Sequence, residues 1–126
     1  MEQSSQTLAK FLHFGKGRGN RAVKLSLRTG KWYSLTRMLE PRKNHACTKL
    51  TLNGRPGLVV SGGNLNSTSV EFYDVSSGQW VNLPRLQRGR MKHAMVIEKG
   101  KLVVVGGMGG EKKEYLRDSE VFNGKR

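Results

Sequence analysis

Short runs of apolar residues that end in glycine recur along this chain and provide its strongest structural signal. The clearest are residues 58–63 (LVVSGG) and 102–107 (LVVVGG), and a weaker form is residues 11–16 (FLHFGK). A run of mostly β-branched residues is typical of a strand that is buried on both faces. Glycine at the end of such a strand lets another backbone approach closely. The pattern therefore predicts three related β units.

The spacing of tryptophan, glycine, arginine and histidine indicates that these units are repeats. Trp32 and Trp80 lie 48 positions apart, and the same offset relates further pairs: Gly30 and Gly78, Arg42 and Arg90, and His45 and His93. The glycine doublets are only 44 positions apart, because the turn at residues 53–57 is longer than the turn at 99–100. A fixed period whose length changes fall in turns is typical of a repeat architecture.

Apolar and polar residues alternate between turn signals, which predicts β-strands throughout and requires no helix. The predicted strands are residues 8–14, 23–27 and 32–35 in the first unit, 45–52, 58–62, 69–75 and 79–83 in the second, and 93–98, 101–106 and 119–122 in the third. Residues 108–118 form the longest loop, and its glycines predict a mobile loop instead of a helical turn.

The repeated unit resembles a kelch repeat, in which a glycine doublet ends the second strand, an aromatic lies in the third, and a tryptophan opens the fourth. The second copy has all of these in Gly62, Gly63, Tyr73 and Trp80. The first copy retains Trp32, whereas the third retains Gly106, Gly107 and Phe122. These aromatic residues are predicted to pack one blade against the next.

The resemblance implies an all-β fold: a partial kelch β-propeller with antiparallel four-stranded blades and an incomplete ring. The predicted organisation is a disordered segment at 1–10, a partial repeat (blade 1) at 11–40, a complete repeat (blade 2) at 41–88 and a partial repeat (blade 3) at 89–126. Closed propellers have about four to eight blades. We therefore expect a fragment, or a chain that completes its ring by self-association, because terminal blades leave apolar faces uncovered.

A formal net charge of +14 indicates attraction to acidic partners or nucleic acid. The alternative is that acidic blades outside this sequence would balance the charge. Binding of single-stranded nucleic acid needs exposed aromatic residues beside a basic groove. Because the repeat positions account for both tryptophans as well as Tyr73 and Phe122, an acidic protein partner is favoured over nucleic acid.

Candidate chemistry is sparse. His45 and His93 occupy equivalent repeat positions and would lie on neighbouring blades, so a structural role is favoured over metal binding. Cys47 is the only cysteine, which excludes an internal disulfide and favours a cytoplasmic location for the protein. The Cys47 side chain itself is predicted to be a small buried apolar group. The glycines at 106–110 precede a strand instead of the helix that a phosphate site requires. We predict no catalytic residue, metal, cofactor or membrane segment.

In kelch propellers, the loop leading into the innermost strand and the loop between the second and third strands open on one face that generally binds proteins. This resemblance places candidate partner-binding residues in those loops: Arg42, Lys43, Asn44, Asn64, Asn66, Arg88, Arg90, Lys92 and Tyr115. The alternative for each charge is simple solvation. Glu71 and Glu120, also repeat-equivalent, are predicted to form structural ion pairs with neighbouring arginines. By resemblance, the protein would recognise substrates for a cullin-type ubiquitin ligase or bind actin.

Overall fold

The computed structural model describes residues 7–12, 21–26, 29–63, 67–110 and 114–122, and within these ranges every regular element is a β-strand. The strands are β1 (Thr7–Leu12), β2 (Arg21–Ser26), β3 (Trp32–Leu35), β4 (Ala46–Leu52), β5 (Arg55–Ser61), β6 (Val70–Asp74), β7 (Gln79–Leu83), β8 (Ala94–Glu98), β9 (Lys101–Val105), β10 (Met108–Gly109), β11 (Glu114–Tyr115) and β12 (Ser119–Phe122).

Antiparallel pairing organises these strands into successive blades. Blade 1 is β1-β2-β3, blade 2 is β4-β5-β6-β7, and blade 3 is β8-β9-β12, while β10 and β11 form a separate two-stranded ribbon. Blade 2 is a complete four-stranded meander, and each of its neighbours has three strands among the described residues. The all-β fold and the partial, open kelch propeller predicted from the sequence are confirmed.

Two sequence-based boundaries need correction. The strand β1 begins at Thr7, so the boundary drawn after residue 10 falls inside a strand instead of at the end of a disordered segment. The loop at 108–118 contains the ribbon of β10 and β11, in which Met108 is paired with Tyr115 and Gly109 with Glu114. Strands of two residues are too short to produce a detectable alternation of apolar and polar positions.

One apolar cluster fills each junction between blades. Ala22, Met38, Val60, Tyr73 and Trp80 form the buried cluster between blades 1 and 2. The cluster between blades 2 and 3 contains Ala46, Val59, Val70, Leu86, Met95, Leu102 and Val104, with Phe122 packed against it. Burial of these side chains is the main favourable term that holds the blades together.

The aromatic repeat residues pack as predicted in blades 2 and 3 but not in blade 1. The rings of Tyr73 and Trp80 lie 5.1 Å apart, and the Trp80 indole donates a hydrogen bond of 2.6 Å to the carbonyl of Thr36 in the preceding junction. Trp32, by contrast, is 50% exposed, so the prediction that it is buried between blades is wrong. Among the described residues, no earlier blade covers it.

The glycine doublets lie where two loops meet a strand end. Gly63 has a φ of 88°, and a Cβ atom there would lie 2.7 Å from the carbonyl oxygen of Lys43. Gly107 has the same φ, and its Cβ would lie 2.6 Å from the carbonyl of Met91. Both positions therefore require glycine for two reasons, a left-handed backbone and the absence of a side chain.

Candidate protein-interaction face

Arg42, predicted to contact a partner, is instead the centre of a buried ion pair in blade 2. Its guanidinium group donates hydrogen bonds to the carbonyls of Gly62 (2.8 Å) and Ser69 (3.1 Å) and to the Ser69 hydroxyl (2.7 Å). It also contacts Glu71 at 2.7 Å, and both side chains are at most 1% exposed. The Glu71 carboxylate in turn accepts the backbone N–H groups of Leu39 (2.7 Å) and Glu40 (3.1 Å).

Blade 3 repeats this arrangement around Arg90. The guanidinium group donates to the carbonyls of Gly106 (2.9 Å) and Asp118 (3.1 Å) and contacts the Glu120 carboxylate at 3.3 Å. The Glu120 carboxylate accepts the backbone N–H groups of Gln87 (2.7 Å) and Arg88 (3.2 Å). The predicted structural pairing of both glutamates with neighbouring arginines is thus confirmed.

These pairs fasten the loop that leads into each blade to the strand end of the same blade. Arg42 is 2% exposed and Arg90 is fully buried, so the prediction that they are surface residues able to contact a partner is wrong. A buried charge needs a paired charge and satisfied hydrogen bonds. Arginine recurs at an offset of 48 positions and glutamate at an offset of 49, and this recurrence was the sequence signal for the structural role.

The remaining predicted loop residues that the structure describes are exposed. Their side chains form what we call the loop face: Lys43, Asn44, Arg88, Lys92 and Tyr115. Tyr115 is 81% exposed, which is unusual for an aromatic side chain of this size. Asn64 and Asn66 lie outside the described residues.

Backbone hydrogen bonds join the loops of blades 2 and 3 into one surface. The N–H of Lys92 donates to the carbonyl of Asn44 at 2.7 Å, and both residues have left-handed backbones, with φ of 55° and 58°. Met91 pairs with Met108 through two bonds of 2.9 Å, and Met108 pairs in turn with Tyr115. Two strand spacings therefore place the backbone of Tyr115 about 10 Å from that of Met91.

Two charged residues beside the loop face were missed by the sequence reasoning. Arg85 is exposed, donates to the Thr68 hydroxyl at 2.9 Å and lies 3.9 Å from Glu40. Asp118 lies between Arg90 (2.9 Å) and Arg88 (3.6 Å). Desolvation alone would raise the pKa of Asp118. The hydrogen bond and charge of Arg90, together with the charge of Arg88, outweigh it and hold the pKa of Asp118 below its usual value.

The histidines have structural surroundings. The Nε2 atom of His93 lies 2.8 Å from the Ser61 hydroxyl, and burial together with the charge of Arg90 lowers the His93 pKa to about 4. Burial and the charge of Arg42 lower the pKa of His45 to about 4. Within the part of the chain that is described, no group of three potential metal ligands occurs. Cys47 is exposed, which corrects its predicted burial.

No helix among the described residues is long and apolar enough to cross a membrane. No protein-family model matches the chain.

Curated relatives match a large part of the chain. Kelch-like protein 24 of Homo sapiens is 34% identical over 85 residues, which is 68% of this chain and 14% of that protein. Kelch-like protein 24a of Danio rerio is 33% identical over 93 residues, covering 74% of this chain and 15% of the relative. Kelch-like protein 35 of Mus musculus is 34% identical over 69 residues, or 55% and 12% of the two chains.

The matched segment spans about 14% of the length of the kelch-like 24 relatives. These similarities agree with the structure, which has the glycine doublets, the aromatic pair of blade 2 and the successive antiparallel sheets. The chain is therefore a member of the kelch-repeat family.

Proposed function

We propose that this chain is a non-enzymatic protein-interaction module whose loop face binds an acidic segment of a protein partner. The observation that carries the proposal is the backbone link between Lys92 and Asn44, because it holds the exposed cations of two blades in one fixed surface. Rigid scaffolds that present exposed loop residues are how protein binding sites are usually built. Exposed Lys43, Arg88 and Lys92 supply positive charge, while Tyr115 supplies an aromatic contact.

The finer roles implied by the resemblance belong to the same proposal. Substrate recognition for a cullin-type ubiquitin ligase would use the loop face to bind the substrate, whereas actin binding would use it for an acidic surface of the filament. A cytoplasmic location fits either role. All three remain predictions.

A pair of charge reversals tests the proposal. We expect K43E/K92E to weaken binding of a fluorescein-labelled deca-glutamate peptide at least tenfold, because two screened attractions of up to about 1 kcal/mol each become repulsions. The control K99E/K101E makes the same charge change at the turn between β8 and β9, and each pair includes one lysine with a left-handed backbone, Lys92 or Lys99. Equal losses in the two variants would refute a specific loop face.

Nucleic acid is the second candidate, favoured by the net charge of +14. Fluorescence anisotropy with a 20-nucleotide single strand at several salt concentrations separates the candidates. Binding that persists near physiological salt and falls steeply with added salt would support nucleic acid. We expect the peptide to bind and the single strand to be released under those conditions.

A further inference from the structure

The surfaces above the ion pairs of blades 2 and 3 differ at two equivalent positions, because blade 2 has Glu40 and Ser69 where blade 3 has Arg88 and Asp118. Ser69 in blade 2 and Asp118 in blade 3 both stand two residues before the paired glutamate, and both meet the buried arginine. Ser69 is 2% exposed, whereas the Asp118 side chain is 48% exposed. The pair of blade 3 therefore continues outward to Arg88, while that of blade 2 ends at a buried hydroxyl.

The two contacts of Asp118 differ in strength. Its Oδ1 atom accepts a hydrogen bond of 2.9 Å from the fully buried Arg90, which is within normal hydrogen-bond distance. Its Oδ2 atom lies 3.6 Å from Nε of Arg88, and both of these side chains are about half exposed. Water and salt screen such an exposed pair, so its contribution is small. Asp118 is consequently held by Arg90 and only weakly associated with Arg88.

We propose that Asp118 is a specificity-determining residue that partly neutralises Arg88. An acidic group of the partner binds by replacing Asp118 as the ion-pair partner of Arg88. This inference rests on the proposed function and assigns the carboxylate contact to blade 3. The backbone of Arg88 stays in place during the exchange, because its N–H donates to Glu120 at 3.2 Å. A guanidinium group can then bind the incoming carboxylate through two parallel hydrogen bonds. Arg117, exposed beside Asp118, adds a second cation.

The variant D118S tests the exchange by giving blade 3 the residue of blade 2. Arg90 keeps its bonds to the carbonyls of Gly106 and residue 118 and its contact with Glu120, so the fold is expected to persist. We expect D118S to bind the deca-glutamate peptide about two- to fivefold more tightly than the unmodified chain, which is the range for one exposed ion pair.

Two controls separate this effect from a general gain of positive charge. E98Q makes the same charge change at the exposed last residue of β8, at the opposite end of that strand from the loop that carries Arg88, and should leave affinity unchanged. In an R88A background, D118S should have no effect, because the residue acts through Arg88. Thermal unfolding of each variant verifies that the chain remains folded.

Each outcome decides the inference. A gain of peptide affinity in D118S that disappears in the R88A background supports the inference. If D118S binds the peptide and the unmodified chain does not, the inference is still supported, but the proposed function of the unmodified chain is not. Binding by the unmodified chain with no gain in D118S, or an equal gain in E98Q or in the R88A background, overturns the inference and leaves the proposed function intact. Absence of binding by every variant overturns both.

Discussion

Removal of the Arg42 side chain tests whether the buried ion pairs stabilise the stacked blades. The variant R42A loses four hydrogen bonds, to the carbonyls of Gly62 and Ser69, to the Ser69 hydroxyl and to the Glu71 carboxylate. It also leaves the fully buried Glu71 side chain without its cation. Breaking one side of a buried pair costs about 3–5 kcal/mol. Since a small domain has only about 5–15 kcal/mol of stability, we expect a large loss.

Urea unfolding followed by tryptophan fluorescence measures the effect, with R55A as the matched control. Arg55 pairs with Asp74 at 2.6 Å in the same blade, but its side chain is 54% exposed. We therefore expect R55A to lower the free energy of unfolding by less than about 1 kcal/mol. If R42A cost no more than R55A, the buried pair would not stabilise blade 2 and our reasoning would be refuted.

Three further predictions concern acid, glycine and assembly. His93 stays neutral to about pH 4 when folded but accepts a proton near pH 6.5 when unfolded, so the free energy of unfolding should fall as pH drops from 6.5 towards 4. The urea midpoint should therefore be lower at pH 5 than at pH 7, and the difference should be smaller in H93Q. Equal midpoints at the two pH values would contradict this. G63A should destabilise more than G100A, because both have positive φ but only the Cβ at 63 would contact other atoms; chemical denaturation compares them, and equal costs would refute the close-approach argument. The chain should self-associate through exposed apolar residues of blade 3 such as Val105 and Val121, as sedimentation velocity would reveal, and a strictly monomeric chain at high concentration would argue against this.

The fold could be predicted because its signals are local and occur more than once. A glycine doublet, a turn and a tryptophan each specify short-range geometry. They recur from blade to blade, and their sequence order in blade 2, where all of them are present, reveals the order of the strands. The pairing of Glu71 with an arginine was predictable for the same reason, since glutamate and arginine recur at matching positions.

The depth of the arginines was not predictable from the same pattern. Arg42 is charged and lies in a loop, and both features are typical of the surface. Its burial depends on partners 20 to 29 residues away that converge only when the blade has formed. The exposure of Trp32 has a similar origin, because the repeat position identifies the residue while burial depends on whether a neighbouring blade is present.

Amide hydrogen exchange along the 126-residue chain tests the central structural claim most directly. Blade 2 has four strands and an apolar cluster on each side, so β5 and β6 should exchange slowest, β9 at an intermediate rate, and β1 fastest. This gradient would identify a stack of blades whose stability decreases towards its ends. Uniform protection of β1, β5 and β9 in a sharply cooperative monomer would contradict the partial-propeller account and indicate a self-sufficient fold.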